Sequence, residues 1–214
     1  RRNRSRGVVG VNIGKNKVTE DKDAAGDYVL CAQKLGPLAD YLVINVSSPN
    51  TPGLRALQDR AALTRIASEV KNELAKQSRV CPLLIKLSPD LLPADFEDIQ
   101  KLEADVEVDG WILSNTTTDR SVLLSDKDLA ERLGAGGVSG RPIASRAKTA
   151  LDIMRAVSAK PLIAVGGIDS RQSAQERLDS GAQLVQVYSG LVYHGPSLIA
   201  ELARAQPVES TSSC

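Results

Sequence analysis

Histidine is nearly absent from this chain. Among 214 residues there is one, His194, so a histidine-based catalytic triad or a zinc site would have to rest on it alone, which argues against both. Cysteine is scarce as well. Cys31, Cys81 and Cys214 are scattered, with no CxxC pair and no metal-ligand spacing, and reduced thiols are the expected state. Charge of one sign is not in excess: 27 Lys plus Arg against 26 Asp plus Glu leave a formal net charge of +1, which gives no electrostatic case for nucleic acid as a partner. Long apolar runs are missing. No stretch reaches the roughly 20 residues a membrane span requires, and the Arg-rich opening, Arg1–Arg6, lacks the apolar region of a signal peptide. That opening reads as a solvated helix end cut from a longer chain, with a targeting or membrane-surface patch as the alternative.

What is present is ordinary globular material, 42% hydrophobic and 25% charged, long enough for one well-buried core. Short apolar runs recur at Val8–Ile13, Leu42–Val46, Leu83–Leu87, Trp111–Leu113, Leu162–Val165 and Leu184–Val187, each ending in small or polar residues. Continuous runs of this length suit strands buried on both faces of a parallel sheet. Between them lie helical stripes: Leu63, Ile66, Ala67, Val70 and Leu74; Phe96, Ile99 and Leu102; Leu151, Met154 and Val157. Ser170 is placed to cap a further helix containing Ala174 and Leu178, and Gly181 to stop it. Strands alternating with helices mean α/β architecture. Nothing reads as a linker or a repeat, so residues 1–214 are expected to form one partial domain. The Thr116–Gly140 segment is long and polar, as a lid beside a strand end would be.

Two α/β arrangements compete. A doubly wound sheet binds a dinucleotide through a GxGxxG turn after its first strand, and that pattern is absent. A (β/α)8 barrel puts its chemistry at the C-terminal strand ends and a phosphate site after its last two strands. The final two runs here end in Gly166-Gly167 and in Tyr188-Ser189-Gly190, where bare backbone amides suit a phosphate. The barrel is favoured, although six of its eight strands can be counted.

The strand ends carry the polar chemistry. The second run delivers Asn45, Ser47, Ser48, Asn50 and Thr51 into one tight turn, more hydrogen-bonding side chains than turn formation needs. Asn12 and Gly14 follow the first run, Lys86 closes the third, and Ser114, Asn115, Thr116 and Thr117 follow the fourth. Singly, each has a structural explanation: an Asn after a strand caps a turn, a terminal Lys snorkels to solvent, Gly-Gly marks a turn, and Ser48 caps the residues after it. Together, amide, ammonium and hydroxyl groups with almost no carboxylate suit a large, planar, partly anionic ligand.

Seven segments in order, Gly10–Lys17 (GVNIGKNK), Ile44–Arg55 (INVSSPNTPGLR), Ile85–Asp90 (IKLSPD), Ser114–Thr117 (SNTT), Gly136–Pro142 (GGVSGRP), Val165–Ile168 (VGGI) and Gln186–Gly190 (QVYSG), span nearly the whole chain. They resemble successive blocks of the dihydroorotate dehydrogenases, specifically the class 2, quinone-linked branch. The resemblance implies a TIM barrel of which about strands 3 to 8 are present, with bound FMN. Asn12, Asn45, Lys86 and Ser114 would address the isoalloxazine ring, and the backbone around Gly140, Gly167, Tyr188 and Ser189 would hold the phosphate end. At position 114 many relatives carry Thr, and Ser keeps the hydroxyl. Asn45, Asn50, Asn115 and Thr116 would face the substrate, dihydroorotate or its product orotate. Ser48 would be the general base, its backbone kept extended by Pro49; class 1 relatives carry cysteine there.

The implied reaction is oxidation of dihydroorotate to orotate in de novo UMP synthesis, with a ubiquinone-type quinone as final acceptor. By the same resemblance the enzyme is a monomer that meets the membrane through a helical N-terminal part lying upstream of Arg1, together with the first two strands and the quinone tunnel. A barrel of this kind needs about 250 residues, so the chain by itself is expected to be unstable, to bind FMN weakly and to turn over no substrate. The Leu35–Tyr41 stretch looks more like eukaryotic members, which implies the mitochondrial inner membrane, with a bacterial cytoplasmic membrane as the alternative. Two other readings stand beside this one: Lys86 as a Schiff-base lysine of an aldolase-like barrel, and a truncated, non-enzymatic remnant.

Overall fold

A computed structural model describes residues 7–51, 53–125, 127–132 and 134–205. The arginine-rich opening and Cys214 lie outside the described residues. The elements run in the order β1 (Gly10–Ile13), α1 (Ala24–Leu35), β2 (Tyr41–Asn45), α2 (Arg60–Leu74), β3 (Leu83–Leu87), α3 (Pro93–Asp105), β4 (Gly110–Leu113), α4 (Lys127–Arg132), α5 (Ala144–Val157), β5 (Leu162–Val165), α6 (Arg171–Asp179), β6 (Leu184–Gln186), α7 (Ser189–His194) and α8 (Ser197–Leu202). All five strand pairings are parallel, and the strands lie in the sheet in their sequence order. A doubly wound sheet reverses direction at a switch point, whereas a barrel winds one way throughout. The strict order β1 to β6 therefore makes this an open half-barrel, with β1 and β6 as its two edges.

Register explains how runs without visible alternation serve two faces. Ile44 pairs with Ile85 and Ile85 with Trp111, while Val43 pairs with Leu84 and Ile112 with Ile163. Leu42, Ile44, Leu83, Ile85, Leu87, Trp111, Leu113, Leu162 and Ala164 join the large core under the helices. The opposite parity, Val43, Leu84, Ile112 and Ile163, forms a separate small cluster flanked by Tyr41 and Val165. This second cluster is the concave face, where successive barrel strands stack their side chains in layers. At its edge the Tyr41 ring occupies the space a side chain at position 10 would need, so Gly10 is the residue that fits there.

The helical stripes expected over residues 63–74, 96–102 and 151–157 lie on α2, α3 and α5. Ser170 caps α6 by accepting from the Ser173 amide at 3.2 Å, and Gly181 follows that helix at φ 92°. Two expectations, the start of the first strand and the 116–140 loop, are corrected, and α1 is an element the sequence stripes did not show. The first strand begins at Gly10 rather than Val8: Val8 and Val9 are exposed, and the Val9 amide donates to the Asp40 side chain instead of the ladder. Helix α1 carried no stripe of large aliphatics, because it buries Ala24, Ala25, Tyr28 and Ala32, mostly small residues. The Thr116–Gly140 segment is not a plain loop. It contains α4, a Thr117–Val138 bridge, and Arg120 donating to the carbonyls of Ala130 and Gly134.

Among the described residues no helix is long and apolar enough to cross a membrane.

Candidate active site

Strand parity sends Asn45, Lys86 and Ser114 to the concave face, each two residues beyond a member of its apolar cluster. Asn12, paired with Val43, shares that face on β1. Above the strand ends lies a cavity of about 810 Å3, lined among others by Lys86, Ser114, Asn115, Thr116, Gly140, Gly167, Tyr188 and Ser189. Asn12, Asn45, Ser48 and Asn50 do not line it. Asn12 is exposed at the sheet edge, Asn45 closes β2, and Ser48 and Asn50 sit in the turn that follows. The structure thus separates the expected residues into a walled compartment over β3 to β6 and a group over β1 and β2.

Asn115 joins the two groups. Its Nδ2 donates to Asn45 Oδ1 at 3.3 Å and to Ser47 Oγ at 3.1 Å, while its Oδ1 accepts from the Thr116 amide at 2.8 Å. Ser47 is fully buried, and its hydroxyl donates to the Lys86 carbonyl at 2.8 Å. Tyr28, reaching from α1, donates its phenol to the Asn45 carbonyl at 3.0 Å, and burial raises its pKa, so it remains a donor. Sequence reasoning missed Ser47 and Tyr28 as organisers; the buried tyrosine among alanines on α1 was the signal available. Ser48 is half-buried, and its Oγ accepts from the Asn50 amide at 3.3 Å, the turn-capping contact weighed above. The lid approaches this turn closely, since a Cβ added to Gly137 would fall 2.9 Å from Pro49 Cγ.

Lys86 is the unusual charge. It is half-buried with no carboxylate partner among the described residues, and burial lowers its pKa. It does not snorkel away to solvent but stays on the concave face, where an anionic ligand would compensate it. The sequence suggested strand ends almost free of carboxylate, and this is corrected. Asp90 follows β3, but its charge is consumed. Oδ2 takes Arg55 Nη1 at 2.7 Å and Oδ1 takes Arg146 Nη1 at 2.8 Å, with Thr117 Oγ1 and the Thr118 amide completing the set. Arg55 also donates to the carbonyls of Ser47 and Thr116, and Arg146 to Asp119 at 2.5 Å. One carboxylate thereby fastens the β2 turn, the β4 loop and α5. Burial alone would raise its pKa; the bonds from Thr117, Arg146 and Arg55 outweigh that and hold it below the ordinary value.

At the far end of the cavity three backbone segments meet. Gly140 lies at φ 76° and Gly167 at φ 71°, conformations that favour glycine. A Cβ at Gly167 would sit 2.6 Å from Ala144 Cα, and one at Gly140 would sit 3.3 Å from Ser189 Cβ. Ser139 and Ser189 hydroxyls lie 2.8 Å apart. Bare backbone in close approach forms a cradle for an anionic group, and an orphan ammonium stands at the other end. Both features fit FMN, a flat ring carrying a phosphate on a chain. Among the described residues no cluster of His, Cys, Asp and Glu is arranged to hold a metal.

Two outcomes are expected from this geometry. Asp90→Asn removes the charge that neutralises two guanidiniums and lowers stability by about 2–3 kcal/mol at neutral pH, measured by urea unfolding; a loss under about 0.5 kcal/mol would show the network to be ornamental. Because the folded pKa of Asp90 lies below its unfolded value, its contribution is complete above the ordinary carboxylate range and disappears as the pH falls through the folded value. Lys86 has the opposite sign. An amine whose folded pKa is depressed destabilises the fold as the pH falls below its unfolded pKa, and fully below the folded one, so Lys86→Met raises the melting temperature of the ligand-free chain at pH 7. A lower melting temperature would contradict it.

The family model described as dihydroorotate dehydrogenase matches residues 1–206. A protein of Pseudarthrobacter chlorophenolicus named dihydroorotate dehydrogenase (quinone) is 46% identical over 202 residues, covering 93% of this chain and 57% of its own length. Proteins of the same name from Leifsonia xyli and Vibrio parahaemolyticus are 45% and 44% identical, over 95% and 92% of this chain and 59% and 60% of theirs. A crystal structure of DHODH from Eimeria tenella in complex with ferulenol superposes with a TM-score of 0.85 at 33% identity, covering 95% of this chain and 58% of that one. The chain thus spans somewhat more than half the length of the curated relatives it matches. With a singly wound parallel sheet, a polar concave mouth and this match along nearly its whole length, the chain belongs to the dihydroorotate dehydrogenase family.

Proposed function

We propose that this chain forms the greater part of an FMN-binding barrel that oxidises dihydroorotate to orotate in pyrimidine synthesis, with a quinone as final electron acceptor. The observation that carries the reading is Lys86, an unpaired, half-buried ammonium in a cavity of about 810 Å3 that runs to a glycine-lined cradle. FMN, when bound, supplies the acceptor for the hydride leaving substrate C6. Lys86 and Ser114 hold the pyrimidine edge of the ring, where the ammonium favours negative charge. The backbone at Gly140, Gly167, Tyr188 and Ser189 receives the phosphate. Asn12, on the edge strand β1, would also address the ring.

Asn45, Asn50, Asn115 and Thr116 bind the dihydropyrimidine, since amides can donate to its carbonyls and accept from its ring N–H groups. The Asn115 bonds to Asn45 and Ser47 support this by holding those amides in one orientation. Ser48 takes the proton from substrate C5. A serine is a weak base, so it depends on exclusion of water and on onward transfer of the proton through a neighbouring hydroxyl or water. The approach of Gly137 to Pro49 supports a closed setting for that step.

Both sheet edges are open, and Val8, Val9 and Leu184 are exposed beside them. This supports the proposal that the 214 residues alone turn over no dihydroorotate: barrel closure is wanting, and ring and substrate are held from one side. The enzyme acts as a monomer at a membrane surface. The three curated sequence relatives named above are bacterial and more similar than the Eimeria tenella structure, which favours a bacterial cytoplasmic membrane over the mitochondrial expectation.

A lysine with a depressed pKa at a strand end also suits Schiff-base chemistry. Borohydride reduction that fixes a carbonyl substrate on Lys86 would favour that reading, and a bound-flavin absorption spectrum excludes it. Two further outcomes are expected. In a full-length enzyme carrying this sequence, Ser48→Ala retains FMN but slows flavin reduction by dihydroorotate about 10²–10⁴-fold at neutral pH, followed by stopped-flow absorbance; an unchanged rate removes Ser48 as the base. The purified 214-residue chain shows no dihydroorotate-dependent reduction of a soluble quinone, and a yellow, monomeric, active preparation would overturn that.

A further inference from the structure

Arg177, on α6, is 3% exposed, yet among the described residues it has no carboxylate partner. Its Nη2 donates to the Ala144 carbonyl at 2.7 Å and, more weakly, to the Gly166 carbonyl at 3.4 Å. Its Nε is buried without a hydrogen-bond partner. Glu176 and Asp152 favour its charged form from a distance but make no ion pair with it: Asp152 is paired with Lys148 at 2.8 Å, and Glu176 accepts from Gln172 at 3.2 Å. A buried guanidinium keeps its charge, and an isolated buried charge is strongly disfavoured unless an opposite charge faces it.

The two carbonyls it holds locate the missing counter-charge. Ala144 opens α5 directly after the Gly140–Ile143 turn, and Gly166 precedes Gly167 at the end of β5. Gly167 and Ala144 are in close contact, so one guanidinium bridges two of the three walls of the glycine cradle from behind. We propose that Arg177 is a positioning residue for the cofactor's phosphate: it fixes the separation of the Gly140 and Gly167 walls, and its unpaired positive charge, directed through them, selects a dianionic ligand end. The inference rests on the flavin reading and deepens it. The phosphate needs no direct contact with the guanidinium, because in an interior of low dielectric the attraction persists over several ångströms.

The test compares FMN with riboflavin, which has the same ring and no phosphate, by fluorescence titration of the flavin-free form of a full-length enzyme carrying this sequence. Arg177→Gln keeps donors for the two carbonyls and removes the charge; Arg177→Lys keeps a charge. The expected result is that Arg177→Gln weakens FMN about tenfold or more while riboflavin is unaffected, and that Arg177→Lys restores most of the preference. Equal weakening of both flavins, or of neither, overturns the inference and leaves the flavin reading standing. A full-length wild-type enzyme that binds neither flavin overturns the flavin reading instead. Inorganic phosphate then decides the inference by itself: a thermal shift in wild type that Arg177→Gln abolishes supports it, and no shift in wild type overturns it. Should the Gln variant fail to fold, Arg177→Met takes its place with the same supporting and overturning results.

Discussion

Successive side chains of a strand point to opposite faces, and in this half-barrel the two faces have different fates. Helices close the convex face over Leu42, Ile44, Ile85, Trp111 and their neighbours, so that parity is committed to the core. The concave parity begins with four apolar residues and then changes character at the C-terminal ends, where Asn45, Lys86 and Ser114 follow Val43, Leu84 and Ile112 at two-residue steps. The mouth is polar because the strands outlast their apolar layer by one step. Every other feature of the site, including the placement of the amides and the isolation of Lys86, depends on that alternation being held in register.

Register alone does not hold the loops. Asp90 does much of that work by accepting from Arg55, Arg146, Thr117 and Thr118, so the β2 turn and the β4 loop share one anchor with α5. Such a network is costly to half-satisfy and rigid when complete. On the other side of the same turn, Ser47 and Tyr28 hold the Asn45 side chain and carbonyl. The turn that carries Ser48 is therefore clamped from both ends, and Gly137 of the 116–140 segment packs against its Pro49.

The molecule keeps four basic groups in two electrostatic states. Arg55 and Arg146 are matched by carboxylates and serve the architecture. Lys86, half-buried in the cavity, and Arg177, buried behind its glycine-lined end, have no carboxylate partner among the described residues. A folded chain tolerates such groups when a ligand completes them, and a ligand with a partly anionic ring at one end and a phosphate at the other does so for both. The stability given up in the empty protein is the counterpart of affinity in the loaded one.

Short apolar runs, helical stripes on α2, α3 and α5, the Ser170 cap and the polar strand ends could all be read from the sequence, because each is a local pattern with a local cause. The identity of Lys86, Ser114, Asn115 and Thr116 as residues of one mouth followed from their positions just past the runs. What the linear chain could not reveal were matters of partnership. That Asp90 is consumed by Arg55 and Arg146, 35 and 56 residues away, that Ser47 rather than Ser48 is the buried hub, and that Arg177 has no acid facing it are decided only once β1 to β6 stand side by side. Charge neutralisation is a property of distances in space, and in a parallel sheet every neighbour is a helix and a strand away in sequence. The sequence by itself determined the residues that could do chemistry; the tertiary structure decided which of their charges remain free to do it.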